Sequence, residues 1–303
     1  MKIVFMGSPD FAIPSLEKLH ASDHEIVSVV SNVDKRRGRG GGTSPTPVKA
    51  RAQELDLPVI TVDDLSSSDF AEQLAALDAD LFVVVAFRIL PAKILEMPSI
   101  GSVNLHASLL PKYRGAAPIH WAVMNGEEET GCSIFFLDEQ VDTGAIIRQE
   151  KTPIGENETT GEVYNRLKEM GSNVLLTAVD EIASGHYATH EQDDKKATPA
   201  PKLFTEDCKV DFDRPAREVH NKIRGLSPFP TAWTILDDLK FNMYRSKVGP
   251  DRNLKPGEVL FDEELFVGCA DDTVILEEVQ LQGKKRMDAR DFMHGYNGAG
   301  IIK

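Results

Sequence analysis

Leu81-Phe82-Val83-Val84-Val85-Ala86-Phe87 is an unbroken apolar run. It is too short for a helix of ordinary length and rich in β-branched side chains, so it reads as a buried strand. The chain before it alternates in texture. Ile3 to Met6 reads as a first strand, residues 14–19 as a helix, Glu25-Ile26-Val27-Ser28-Val29-Val30-Ser31 as a second strand, Leu57-Pro58-Val59-Ile60 as a third, and residues 70–77 as part of a helix. Strands alternating with helices imply an α/β fold built on a mostly parallel, Rossmann-like sheet.

The next strand, Val103-Asn104-Leu105-His106, carries chemistry. Side chains alternate across a strand, so Asn104 and His106 project from one face while Val103 and Leu105 project from the other. Downstream, Pro118 suits the first turn of a short helix and Gly126 its end. Cys132-Ser133-Ile134-Phe135-Phe136-Leu137 reads as another strand, followed by a loop that contains Asp142-Thr143-Gly144. In open α/β sheets ligands bind at strand ends, which places a carboxylate, Asp142, where a ligand would sit. Each residue alone has an ordinary explanation: Asn as a turn or cap, His as a satisfied core group, Asp-Thr-Gly as a turn.

Other chemistries fit less well. The first strand runs into Gly7-Ser8-Pro9-Asp10, which has one glycine and a proline where a dinucleotide site has G-x-G-x-x-G. An aspartic protease needs two carboxylates sharing a proton, and the chain has a single Asp-[Ser/Thr]-Gly. Cys132, Cys208 and Cys269 are far apart and suggest neither a disulfide framework nor a zinc site, so no metal is expected. The chain opens directly into Lys2-Ile3-Val4-Phe5-Met6-Gly7 and has no run of eighteen apolar residues. A cytoplasmic protein is the expectation, with no membrane association and no obligate protein partner evident.

The net charge of −14 argues against indiscriminate nucleic-acid binding. One stretch runs the other way. Between Lys35 and Gln53 stand Lys35, Arg36, Arg37, Arg39, Lys49 and Arg51 with no acidic residue, and four of the five positions 38–42 are glycine. Such a loop is either a solvated insertion or an electrostatic footprint for phosphates, mobile until phosphates compensate its ordering.

Thr159-Thr160-Gly161-Glu162 offers a capping box, and Val163, Leu167, Met170, Val174, Ala178 and Ile182 then recur at spacings of three and four, predicting an amphipathic helix that ends before Gly185. The polar, proline-bearing stretch 191–203 reads as a linker. It separates residues 1–190 from residues 204–303. Beyond it, after a helix around residues 215–224, short apolar runs at 231–236, 259–261, 265–267 and 274–276 predict a small β-rich domain of barrel type.

Taken together, Asn104-x-His106, Ser108-Leu109-Leu110-Pro111, Arg114-Gly115, Pro118 and Asp142-Thr143-Gly144 resemble the signature of the 10-formyltetrahydrofolate-dependent formyltransferases. The resemblance covers nearly the whole chain. It implies that Asn104, His106 and Asp142 are the catalytic set, that Ser108, Leu109, Leu110 and Pro111 line the folate site, and that 10-formyltetrahydrofolate is the formyl donor. Gly38-Arg39-Gly40 with Pro45-x-Pro47-Val48-Lys49 resembles a tRNA-contacting insertion of the family, and residues 224–230 and 282–287 resemble its C-terminal open barrel of the OB type. The resemblance thereby implies charged initiator tRNA as partner, touched by Arg36, Arg37 and Arg39 and, on the barrel, by Lys284, Lys285 and Arg286. Gly41-Gly42 and Phe87-Arg88 depart from the family pattern.

Formyl transfer needs a donor for the oxygen that gathers negative charge and an acceptor for the proton of the attacking amine. Asn104 and His106 can donate; Asp142 can accept. An amino-sugar nucleotide or glycinamide ribonucleotide as acceptor, a hydrolase of formyl-folate, and a noncatalytic RNA-binding module are the alternative readings.

Overall fold

The computed structural model describes residues 1–36 and 43–302, with the side chains of Lys35 and Arg36 left out. Contacts divide it into two compact units. The first comprises Met1–Gly115, Gly131–Thr152 and Asn165–Pro199; the second comprises Ala116–Thr130, Pro153–Tyr164 and Ala200–Lys303.

In chain order the elements are β1 (Lys2–Gly7), α1 (Ile13–His20), β2 (Glu25–Asn32), the two-residue strands β3 (Lys35–Arg36) and β4 (Thr43–Ser44), α2 (Pro47–Glu54), β5 (Val59–Val62), α3 (Ser68–Ala75), β6 (Leu81–Val85), α4 (Ala92–Leu95) and β7 (Gly101–His106). Then follow α5 (Pro118–Met124), β8 (Glu129–Phe136), β9 (Ile146–Pro153) and α6 (Thr160–Ser184). The local reasons are those of capping. The Thr46 side chain accepts the Lys49 N–H at 3.1 Å and Pro47 takes the first helical position, so α2 begins where the sequence reading still had loop. At α6 the Thr159 N–H donates to Glu162 Oε2 at 2.8 Å and the Glu162 N–H to Thr159 Oγ1 at 3.4 Å, closing the expected capping box.

The first unit is built on a seven-stranded sheet in the order β5-β2-β1-β6-β7-β8-β9. The pairs β2·β5, β1·β2, β1·β6 and β6·β7 are parallel, as expected for a mostly parallel sheet, and β7·β8 is antiparallel. All five residues of β6 are buried, which the apolar run required. Asn104 pairs in register with Val84 on β6 and Phe135 on β8, so the candidate residues stand on an interior strand. The opposite face of β7 is closed by α6: a Cβ on Gly171 would meet Leu105 Cδ1 and Cys132 Sγ at 3.0 Å.

The second unit adds α7 (Ala216–Gly225), β10 (Ala232–Leu236), β11 (Leu239–Gly249), β12 (Val259–Phe261), β13 (Leu265–Gly268), β14 (Thr273–Leu281), β15 (Met287–Asp288) and α8 (Ala289–Gly295). Its strands form one antiparallel sheet, β10-β11-β14-β13-β12, with β15 on β14. Ile302 bridges Leu236 at the end of β10 and Ile301 bridges Glu258 beside β12, so one short segment joins the two edges, as in a barrel. Val219, Ile223, Leu226, Phe241, Met243 and Val279 lie in its core. The longest strand, β11, is absent from the apolar runs that the sequence suggested. Its signal is alternation: Phe241 and Met243 are buried, while Lys240 and Asn242, on either side of Phe241, are not.

Candidate active site

His106 is 7 % exposed and sits at the end of β7. Its Nε2 lies 2.8 Å from the Tyr113 carbonyl oxygen. A carbonyl only accepts, so Nε2 carries a hydrogen and is spent on the backbone. Nδ1 is therefore the ring nitrogen left for chemistry, and it faces Asp142 Oδ2 at 3.6 Å. That oxygen accepts the Gly115 N–H at 2.8 Å, while Oδ1 makes no hydrogen bond among the described residues. Asn104, two residues before His106 on the same face, is half-buried, and its amide has no hydrogen-bond partner among the described residues. A half-buried amide with no partner among the described residues is a group whose hydrogen bonds a ligand could supply.

The backbone is strained where it addresses the ring. Tyr113 has φ 62° and Asp142 φ 57°, both in the left-handed region that costs a bulky residue most. Gly144 ends the Asp142 loop because a Cβ there would lie 1.8 Å from the Phe136 carbonyl oxygen. The strand-end argument for Asp142 needs a correction. Because β8 runs antiparallel to β7, its end lies beside the start of β7, where the Leu137 N–H reaches the Ser102 carbonyl at 2.8 Å. The loop brings the carboxylate back to His106 by folding over the sheet, which the rule for parallel strands does not describe.

Ser108, Leu109, Leu110 and Pro111 follow β7 as a braced segment. Ser133 Oγ accepts the Leu110 N–H at 3.0 Å and donates to the Ser108 carbonyl at 2.6 Å, and Gln149 Nε2 donates to both Ser133 Oγ at 2.7 Å and the Leu110 carbonyl at 2.9 Å. The Ser108 hydroxyl donates to the Lys112 carbonyl at 2.6 Å. Ser133 and Gln149 were not singled out by the sequence, since a serine inside a strand reads as filler until its partner is known.

With this geometry in place, comparison with known proteins decides the family. The formyl transferase family model matches residues 1–179, and its C-terminal domain model matches residues 202–297. The chain belongs to the formyl transferase family. It is similar to the methionyl-tRNA formyltransferases of Porphyromonas gingivalis, at 41 % identity over 98 % of this chain and 96 % of that one, and of Chlorobium limicola, at 42 % over the same shares. Among solved structures, it resembles the N-formyltransferase of Helicobacter canadensis in complex with folinic acid and dTDP-3-aminofucose, with a TM-score of 0.70, 21 % identity, and 91 % and 98 % of the two chains covered.

In this formyl transferase the residues nominated for RNA contact are unevenly placed. Arg37 and Arg39 lie outside the described residues, as does the expected mobility of their loop, and of Arg36 only the backbone is described. Two other cations of the stretch are already paired: Lys49 with Asp34 at 2.8 Å, and Arg51 with Glu17 at 2.6 Å and Glu54 at 2.7 Å. In the second unit Arg286 grips Glu278 with two nitrogens at 2.5 Å and lies over the Tyr244 ring, whereas Lys284 and Lys285 make no ion pair among the described residues. A cavity of about 580 Å³ in that unit, lined by Trp121, Met124, Asn221 and Lys222 among others, contains none of the nominated catalytic residues. Among the described residues no cluster of His, Cys, Asp and Glu could hold a metal ion, and no helix is long and apolar enough to cross a membrane. Burial pushes the Cys132 thiol up, with Glu150 adding to it, which makes it an inert core group.

Proposed function

We propose that this chain transfers a formyl group from 10-formyltetrahydrofolate to the amino group of methionine on charged initiator tRNA. The observation that carries the reading is its identity of just over 40 % with methionyl-tRNA formyltransferases along almost its entire length, in both of the parts that the family models match. The folate assignment is supported by the fold neighbour solved with folinic acid and by the donor set of the site itself. An unpaired amide, one free ring nitrogen and one free carboxylate oxygen suit a polar carbonyl and an amine.

When bound, 10-formyltetrahydrofolate supplies the formyl carbonyl, held by Ser108, Leu109, Leu110 and Pro111. Asn104 donates from its amide to the carbonyl oxygen as the amine attacks and charge gathers there. His106 presents Nδ1 to the same centre, and with a proton there it donates to that oxygen as well. Asp142, with Oδ2 fixed by Gly115, accepts on Oδ1 the proton that the amine sheds, directly or through a water, and returns it to the folate nitrogen as the oxyanion collapses and the bond from that nitrogen to the formyl carbon breaks. No side-chain nucleophile is needed. Arg36, Arg37, Arg39 and the Lys284-Lys285-Arg286 cluster are the tRNA contacts in this reading, the last on a barrel domain of residues 204–303.

Incubating the purified protein with 10-formyltetrahydrofolate and, in parallel, methionyl initiator tRNA, an amino-sugar nucleotide or glycinamide ribonucleotide tests the proposal. Formylation of the tRNA alone is expected. Preferential formylation of the sugar nucleotide would overturn it in favour of the reaction suggested by the name of the fold neighbour.

A further inference from the structure

We propose that the segment from Gln192 to Thr198, which by composition is linker, is a positioning strap that holds both groups facing the His106 ring. This deepens the reading above and rests on it. The geometry starts at Gln192. Its Oε1 accepts from Arg114 Nε at 3.1 Å and Nη2 at 2.8 Å, and a guanidinium only donates, so the amide orientation is settled. Nε2 then donates to the Asp142 carbonyl at 2.9 Å and to the Gly144 carbonyl at 2.8 Å. One side chain thereby fixes the backbone on both sides of Thr143, in the loop that carries Asp142 in its left-handed conformation.

Thr198 does the same for the other partner. Its Oγ1 accepts the Tyr113 N–H at 2.9 Å and its carbonyl accepts the Arg114 N–H at 2.9 Å. The Tyr113 carbonyl, which takes the His106 Nε2 hydrogen, is thus part of a peptide chain pinned immediately on either side of its Cα. Arg114 links the two ends of the strap, with its guanidinium on Gln192 and its N–H on Thr198, and it also reaches Asp194 Oδ1 at 2.8 Å between them. Two residues in the left-handed region need such external restraint to persist. The strap supplies it through hydrogen bonds to Tyr113, Arg114 and the Asp142 loop, not to His106 itself. Gln192 and Thr198 are positioning residues, and their job is to keep Nδ1 and the Asp142 carboxylate in register within the few tenths of an ångström that proton handling demands.

The test uses the full-length protein and methionyl initiator tRNA. Gln192→Glu keeps length, shape and the Arg114 contact but replaces the two donors with a carboxylate that repels both carbonyls. It should lower kcat by at least tenfold, leave KM for formyl-folate within twofold, and shift the pH profile of kcat. Thr198→Val should behave likewise, and Thr198→Ser, which keeps the acceptor, should return to within threefold of the parent. Melting curves identify any variant that has lost its fold, and the Thr198 pair then decides the matter by itself. Asp142→Asn is measured alongside. If it is inactive while Gln192→Glu and Thr198→Val keep the parent kcat and pH profile, the strap is only a linker and the inference is overturned. If Asp142→Asn itself keeps activity within tenfold of the parent, the catalytic assignment fails instead.

Discussion

Asp142 Oδ2 stands 3.6 Å from His106 Nδ1 while accepting the Gly115 N–H at 2.8 Å, so the oxygen nearer the ring is the one tied to the backbone. The other oxygen makes no hydrogen bond among the described residues, and in the proposed reaction it is the one that takes the proton. A carboxylate arranged in this way is oriented by the chain and available to a substrate at the same time. The arrangement makes sense of Gly115, whose φ of 123° presents its N–H from a backbone shape that a side chain would disfavour.

Among the described residues the Asn104 amide has no hydrogen-bond partner, so its loss should cost catalysis and not stability. Asn104→Ala should lower kcat by about 10²–10³-fold, the usual cost of removing one oxyanion donor, with the melting temperature unchanged or slightly raised. Steady-state kinetics and a thermal melt on the same preparation check both halves. A fall of less than tenfold would remove Asn104 from the catalytic set.

Glu162 closes the α6 capping box and also meets Arg245 at 2.7 Å in the second unit. Burial opposes its ionisation, but the Arg245 guanidinium and the Thr159 N–H and hydroxyl together hold the carboxyl down to about 2. The unfolded chain protonates this group at an ordinary 4.5. The stabilisation is therefore complete above about pH 5 and is lost as the pH falls toward 2. Melts of the parent and Glu162→Gln should show a gap at pH 7 that narrows between pH 5 and pH 3. A gap independent of pH would contradict the assignment.

His220 is fully buried in the second unit, with Nε2 donating to the Glu156 carbonyl at 3.1 Å and Nδ1 accepting from the Ser246 hydroxyl at 3.0 Å. Burial lowers its pKa from the ordinary 6.5, although the Glu156 carbonyl works the other way. The unfolded chain then takes up the proton first, so the stability due to the neutral ring is complete above about pH 6.5 and erodes below it. Between pH 7 and pH 5 the parent should lose melting temperature faster than His220→Gln. Parallel slopes would show that the folded protein accommodates the charged ring.

Arg39 belongs to the loop outside the described residues, and its role rests on sequence: a guanidinium among glycines in an otherwise acidic chain. Arg39→Ala should raise KM for the tRNA by about tenfold, the scale of a lost charged hydrogen bond, without changing KM for formyl-folate. The parent's tRNA affinity should also fall steeply with added salt, and that dependence should be shallower in the variant. Unchanged tRNA kinetics in Arg39→Ala and in a double variant lacking Arg36 and Arg37 would reduce the loop to a solvated insertion.

Much of the molecule is local enough to be legible in the sequence. A short apolar run rich in β-branched residues reads as a buried strand, and its first five residues, Leu81–Val85, are β6. Period-two alternation places Asn104 and His106 on one face of β7, and the Thr159 and Glu162 pair announces α6, because each depends on residues no more than a turn apart. What the sequence could not settle is how distant segments meet. The direction of β8 against β7, and hence the path that returns Asp142 to the ring, depends on pairing between strands that a single chain pattern does not specify. Lys49 and Arg51 looked free for phosphate until the fold set Asp34, Glu17 and Glu54 beside them. Gln192 stands 50 residues after Asp142 in a stretch whose composition reads as linker, and only the closing of the chain makes it a hydrogen-bond donor to that loop. The sequence determined which groups could act, since chemistry is a property of side chains. The tertiary structure decided how they are held, since orientation comes from backbone carbonyls and amides that every residue shares and no sequence pattern marks.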